Sequence, residues 1–307
     1  MSKNIQSNQL YFKMSQENPE KSLDDFYVFD DKHPDLRKYI SNTKEIKHIL
    51  ITIKTLKDEE ENLKTINKYY RELQKALGDF SNGSEFICFV NACDNTLESV
   101  KKDLGLMKKI TKIYFSKRIL NELAPEEWIQ AILDSNSSRK KGKCGEIKLI
   151  SILRKLGFTE VETWRDFFEK KKCVAQFSKT FSMKNVREKL NVRIRTKKQN
   201  KKLDLIVRFG KKIFLVEAKH LNTSGGGQDK QISELIEILN LKERNNNVSF
   251  ISFLDGSYSN ILIANGKCGE KLKTQRREIK RYLRSNQKNY WLNTAGFKAL
   301  FSDLVKS

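Results

Sequence analysis

Asp204 and the triplet Glu217-Ala218-Lys219 are the residues of this chain best suited to chemistry. The two carboxylates stand thirteen positions apart, one at the start of the apolar run "LDLIVRF" and the other near the end of "KIFLVEAKHL". An unneeded charge among such residues is costly. Glu217 and Lys219 are two apart, so on a strand their side chains share a face, while Ala218 turns away and leaves its carbonyl available. Two carboxylates, a lysine and a main-chain carbonyl at one sheet end suit a hard divalent cation that keeps waters and binds phosphate, as Mg²⁺ does. The plain alternative is a strand-end salt bridge of Lys219 with either carboxylate, contributing ~0–1 kcal/mol.

Such a site needs strands that meet. The "FGKK" between the two runs is a short turn, which predicts an antiparallel hairpin bringing the start of one strand beside the end of the other. Upstream, "GEIKLISILRKLGF" predicts an amphipathic helix with Leu149, Ile152, Leu153 and Leu156 on one side and Gly157 closing it. Glu146 falls in its expected first turn. There it is either a dipole-favoured acidic residue or a third carboxylate beside the sheet. Residues 159–190 read as a mostly helical insertion, "NVRIRT" as a further strand, "DKQISELIEILNL" as a helix and "VSFISFL" as a strand. The sum is an α/β core, a mixed sheet flanked by helices.

Between the hairpin and the next helix lies "TSGGGQDKQ". Glycines remove side chains where a backbone must approach closely, and N–H groups before a helix hold phosphate. A flexible connection explains them equally well. Gly226, Gly227, Gln228, Lys230 and Gln231 are the candidate contacts here, with Asp229 as a helix cap. Basic clusters at 139–143, 196–202 and 275–284 bracket the proposed site and add Lys141, Lys143, Lys201 and Lys202 as candidates for backbone phosphates.

The chain has 307 residues, 60 Lys plus Arg against 38 Asp plus Glu, and a formal net charge of +22. That excess attracts polyanions and points to nucleic acid as partner. No apolar run is long enough for a membrane helix, and the N-terminus lacks a signal-peptide core. Five cysteines without a C-x-x-C pair suggest a reducing cytoplasm. Organisation is expected as a polar arm (1–40), a mainly helical region (41–135) and the α/β core (136–307), divided at "LDSNSSRKKGK". Trp291 and Phe297 read as core packing. The helical region would read bases, clamp a duplex, mediate dimerisation or simply complete the core.

The ordered set of helix Glu146, strand Asp204, Glu217-x-Lys219, amphipathic helix and strand resembles the PD-(D/E)XK nuclease superfamily. "GKCGE", "LDLIV", "FLVEAKHL" and "GGGQDKQ" together are most similar to a type II restriction endonuclease. The resemblance covers roughly Lys143–Leu254, and Leu203 stands where the family name has proline. It implies that Asp204, Glu217 and the Ala218 carbonyl ligate Mg²⁺, with Mn²⁺ as a substitute. It further implies that Lys219 orients or activates the attacking water and offsets phosphorane charge, and that Glu146 holds a second metal or a metal-bound water. The implied partners are double-stranded DNA and a second copy of the chain, with a cognate DNA methyltransferase as a genetic partner only. A structure- or damage-directed nuclease and a non-catalytic DNA-binding module on a nuclease fold are the rival readings.

Overall fold

The computed structural model describes residues 6–28, 32–135, 138–195 and 202–307, the side chains of 138–142 apart. From the N-terminus the elements begin with α1 (Asn8–Glu17). Then follow α2 (Leu36–Asp58), α3 (Leu63–Ala76), α4 (Glu85–Ala92), α5 (Leu97–Lys102), α6 (Leu104–Lys117) and α7 (Glu126–Ser135). The next stretch holds α8 (Ser138–Lys155), β1 (Thr159–Glu160), α9 (Trp164–Glu169), β2 (Lys172–Gln176) and α10 (Met183–Leu190). The hairpin β3 (Leu205–Phe209) and β4 (Lys212–His220) leads into α11 (Gly226–Leu239) and β5 (Val248–Asp255). Last come α12 (Ser257–Ile263), α13 (Glu270–Ser285), β6 (Tyr290–Leu292) and α14 (Thr294–Lys306).

The chain divides into two compact units, 1–28 with 139–307, and 29–138. This division corrects the expected 1–40 arm. Tyr11 of α1 is fully buried, and the Asn8 side chain donates to the carbonyls of Leu283 and Asn289 at 2.9 and 2.8 Å. A Cβ on Gly296 of α14 would meet Ser15 Oγ at 2.2 Å, so glycine is what lets α1 lie against α14. The first helix is therefore core, not arm.

In the first unit the sheet runs β1-β2-β3-β4-β5-β6. Strand β3 lies antiparallel to both of its neighbours, β2 and β4, whereas β1 lies parallel to β2, and β5 and β6 continue parallel to β4. The sheet is mixed, as expected. Alternation sends Leu205, Val207, Phe214, Val216, Ile251 and Phe253 to one face, against Leu149 and Leu153 of α8 and Phe297 and Phe301 of α14. The opposite face packs Ile206, Leu215 and Phe250 against α10 and α11. Helices cover both faces, the layered α/β architecture.

Two strand assignments differ from expectation. "NVRIRT" is not a strand over its described residues: Asn191 and Ile194 have φ of 50° and 40°, and the backbone N–H groups of Arg193 and Ile194 donate to the Glu243 carboxylate. A side chain thus takes the donors a ladder would need. The strand beside β3 is instead β2, inside the expected helical insertion. Its Cys173, Val174 and Ala175 are all fully buried, a central strand without the alternation that marks a half-exposed one.

The second unit is wholly helical among its described residues. Ile46, Leu50 and Ile53 of α2 pack on Ile66, Tyr70 and Leu73 of α3, with Phe86, Val90, Met107 and Ile110 completing the core. Asn62, Ser84, Thr96 and Asp103 each accept a backbone N–H three residues on, capping α3 to α6 in turn. Among the described residues no helix is long and apolar enough to cross a membrane.

Candidate metal-dependent active site

The hairpin register sets Leu205 against Val216 and Phe209 against Lys212, so Asp204 arrives beside the last residues of β4. Its main-chain N–H donates to the Val216 carbonyl at 2.9 Å, and its carboxylate accepts from Ala218 N–H at 2.7 Å. Ile213 and Leu221 donate instead toward β5, at 2.8 and 2.9 Å. The even-numbered residues of β4 therefore face β3, and the Ala218 carbonyl lies on the Asp204 side with its N–H. Lys219 Nζ donates to Glu217 Oε1 at 2.5 Å. Glu217 is buried and Lys219 mostly so.

Burial and the charge of Glu217 push the Asp204 carboxyl up to about 7, against the pull of Lys219, the Ala218 hydrogen bond notwithstanding. Glu146 is raised by burial first; Lys143 and Lys219 oppose the rise and Glu217 adds to it. Burial alone would lower Lys219, but Glu217 and Asp204 together hold its ammonium above the ordinary lysine value. The three carboxylates thus repel one another across a partly desolvated space with one cation among them, an environment that a divalent ion would relieve. Asp204, Glu217 and the Ala218 carbonyl are the oxygen groups here that could hold such an ion, and the charge of Glu146 is felt beside them. Glu146 lies well inside α8, which begins at Ser138, so the expected first-turn dipole role does not apply.

Among the described residues the carboxylate trio with oxygens within 4.8 Å of one another is a different one, Glu20, Asp24 and Asp255. A buried lysine already stands in it. Lys148 Nζ donates to Asp24 at 2.5 Å and Asp255 at 2.8 Å, with Glu20 at 3.6 Å. Tyr27 donates to the same Asp255 oxygen at 2.7 Å and stacks on His220 at 3.7 Å. Burial opposes the charge of Asp255, but the His220 ring 3.8 Å away and the hydrogen bonds from Lys148 and Tyr27 hold it below the usual carboxylate range. The trio is occupied by its own ammonium and is an ionic knot rather than the better metal cradle. Sequence reading missed it: Glu20 and Asp24 lie in the segment taken as an arm, and no local spacing connects them with Lys148. The knot joins that segment to α8 two residues from Glu146 and to β4 one residue from Lys219.

The glycine loop sits beside this end of β4. Gly225 is the N-cap of α11, and Asp229, expected as the cap, is ion-paired with Lys271 at the start of α13. A Cβ on Gly226 or Gly227 would meet nothing within 4 Å, so no protein neighbour demands those glycines, although each costs about 1 kcal/mol in a helix. The loop borders a cleft of about 900 Å³, closed on its other side by Tyr258, Ile261 and Gly269–Leu272. Gln228 and Gln231 are half-buried, whereas Lys230, Lys143 and Lys202 are exposed. Lys201 and the Lys141 side chain lie outside the described residues.

The family model described as Tsp45I type II restriction enzyme matches residues 162–285. The matched segment takes in Asp204, Glu217, Lys219, the glycine loop and α13, but not Glu146. No curated protein and no solved structure gives a match. Together the mixed sheet and this match support a restriction-endonuclease-like PD-(D/E)XK assignment, the similarity to the Tsp45I type II restriction enzyme family covering residues 162–285.

Proposed function

We propose that the protein is a Mg²⁺-dependent endonuclease that cuts both strands of DNA at a specific sequence, acting as a homodimer. The observation that carries this reading is the carboxylate crowding at the end of β4. Asp204 is pushed up to about 7 by burial and by Glu217, at the spot where a main-chain carbonyl and a lysine also converge. Two crowded carboxylates beside one lysine suit a divalent cation, and phosphodiester hydrolysis is the reaction for which such a cradle is useful.

Asp204, Glu217 and the Ala218 carbonyl would hold Mg²⁺, with Mn²⁺ able to replace it. When bound, the ion supplies an acidified water and neutralises charge on the phosphoryl oxygens. Lys219 stays protonated at neutral pH because Glu217 and Asp204 favour its charged form, so it serves as donor and not as base. It would orient the attacking water and meet the charge that develops on the phosphorane. Glu146 would accept from a water on the far side of the cradle. Displacement is in line: water oxygen bonds to phosphorus, the P–O3′ or P–O5′ bond breaks, and the leaving oxygen takes a proton.

Plasmid DNA with Mg²⁺ gives the test. Discrete fragments with fixed ends are expected, and none with EDTA. Binding without any cutting would sink the reading, and cuts confined to branched or damaged DNA would redirect it to a structure-directed nuclease.

A further inference from the structure

Helix α13 carries a cationic face that the catalytic reading leaves unused. Its sixteen residues bury Gln275, Ile279 and Leu283 against the core that α11, Leu254 and Trp291 share. Arg277, Lys280, Arg281 and Arg284 recur at the three- and four-residue spacing of one exposed helix face. They line, with Ser285 and no acidic residue, a shallow groove of about 510 Å³.

The partners of these cations are few. Arg281 lies 3.9 Å from Glu278 and donates to Tyr282, and Arg277 reaches the hydroxyl of Thr274 at 3.2 Å. Among the described residues no carboxylate comes within 4.0 Å of Arg277, Lys280 or Arg284. Arg276, on the neighbouring face, differs: it donates to the carbonyls of Ile261, Leu262 and Gly266 and so anchors the end of α12. One arginine of α13 is therefore structural, while the exposed set gathers four cations on one face with few partners.

We infer that this face of α13 tracks the phosphate backbone of a nucleic-acid duplex, an inference that rests on the nuclease reading. From Arg277 to Arg284 the helix rises about 10 Å, a length over which duplex DNA presents about six backbone charges. A single small anion would leave most of the face unmatched. An anionic membrane is disfavoured because the apolar side of α13 is buried in the protein and has nothing to insert. The ion pair between Lys271 and Asp229 ties the first turn of α13 to the first turn of α11, the helix that follows the catalytic strand. A backbone held on α13 is thereby in register with the loop leaving the site.

The test is duplex binding by fluorescence anisotropy across a NaCl series without divalent cations. The triple variant Arg277→Gln, Lys280→Gln, Arg284→Gln should lower the log–log salt slope by about 2.7, at roughly 0.9 for each phosphate it no longer neutralises. A control variant on the helical unit, Lys101→Gln with Lys102→Gln and Lys108→Gln, should leave the slope unchanged. An unaltered slope in the α13 variant, or an equal fall in the control, overturns the inference. Displacement of the duplex by inorganic phosphate at matched ionic strength, absent in the α13 variant, would make the groove a small-anion site and also overturn it. Wild-type binding with the expected slope change but no Mg²⁺-dependent cutting leaves the α13 assignment standing and defeats the nuclease reading alone.

Discussion

The two units differ in where they keep charge. Residues 29–138 contain 18 Lys plus Arg and 18 Asp plus Glu, so the entire +22 belongs to the other unit, which has 42 against 20. Burial follows the same division. Among the described residues the buried polar groups of the helical unit are hydroxyls, of Thr43, Ser81, Ser84 and Thr111, whereas the sheet unit buries Glu20, Lys148, Glu217 and Asp255. A buried charge is kept only where something compensates it. In the sheet unit one set gathers around Lys148, and at the end of β4 Glu217 is paired with Lys219. The helical unit has the profile of an apolar scaffold with no electrostatic pull on a polyanion.

The largest effect that should separate them is on catalysis. Asp204→Asn or Lys219→Met is expected to lower cleavage by on the order of 10²–10³ or more while duplex binding persists. Leu73→Ala in the helical core should cost about 2–5 kcal/mol of stability and, at a temperature where the protein stays folded, leave the chemical step alone. Single-turnover cleavage beside denaturant melts reads both. Full activity in either site variant removes Asp204 and Lys219 from the mechanism and erases the contrast.

Next in size is the ionic knot. Lys148→Met keeps the length of the side chain but leaves Glu20 and Asp255 buried without their ammonium, an expected loss of about 3–5 kcal/mol. Hydrogen exchange should show the loss in α1, α8 and β5 and spare α2 to α6. A loss below ~1 kcal/mol would mean that the carboxylates escape to water, and that the knot is not what fastens the N-terminal segment.

A third difference lies in pH. Asp204 is raised to about 7 from 3.8, so between those values the native state holds a proton the unfolded chain does not. Stability of the metal-free sheet unit should therefore fall by a few kcal/mol as pH rises from about 4 to about 7, then level off. Asp255 is shifted the other way, and its contribution disappears as pH drops below about 4. Asp204→Asn should flatten the upper limb, and Mg²⁺ should stabilise the wild type more at pH 8 than at pH 5. A melt that is flat from pH 4 to 7 would mean that Asp204 is not the crowded group described.

What could be read from the sequence, and what could not, follows the range of the interactions. The β3–β4 hairpin and the meeting of Asp204 with the end of β4 were legible because a two-residue turn fixes them locally. The α8 and α11 helices were legible from their apolar spacing. Strand β2 was not: "KCVAQ" offers three buried residues in a row, which periodicity alone cannot tell from a helix turn. "NVRIRT" misled in the opposite sense, since Glu243, fifty positions away, takes the N–H of Arg193. The role of α1 was hidden because Tyr11 and Asn8 find partners nearly the whole chain length away.

The smallest predicted effect tests the helical unit on its own terms. Tyr70 and Thr111 are fully buried, and their hydroxyls lie 2.9 Å apart. Thr111 also donates to the Met107 carbonyl at 3.0 Å, so Tyr70 is the donor of the pair. Tyr70→Phe removes that donor without orphaning Thr111, whose proton already has an acceptor. The expected cost is about 1 kcal/mol, the net worth of one neutral buried hydrogen bond. The bond joins two neutral groups, so the cost should be the same at pH 5 and pH 8, in a protein whose other unit changes stability across part of that range. A cost that varied with pH by more than ~1 kcal/mol would show the helical unit to be electrostatically coupled after all, and the separation of scaffold from charged core would fail.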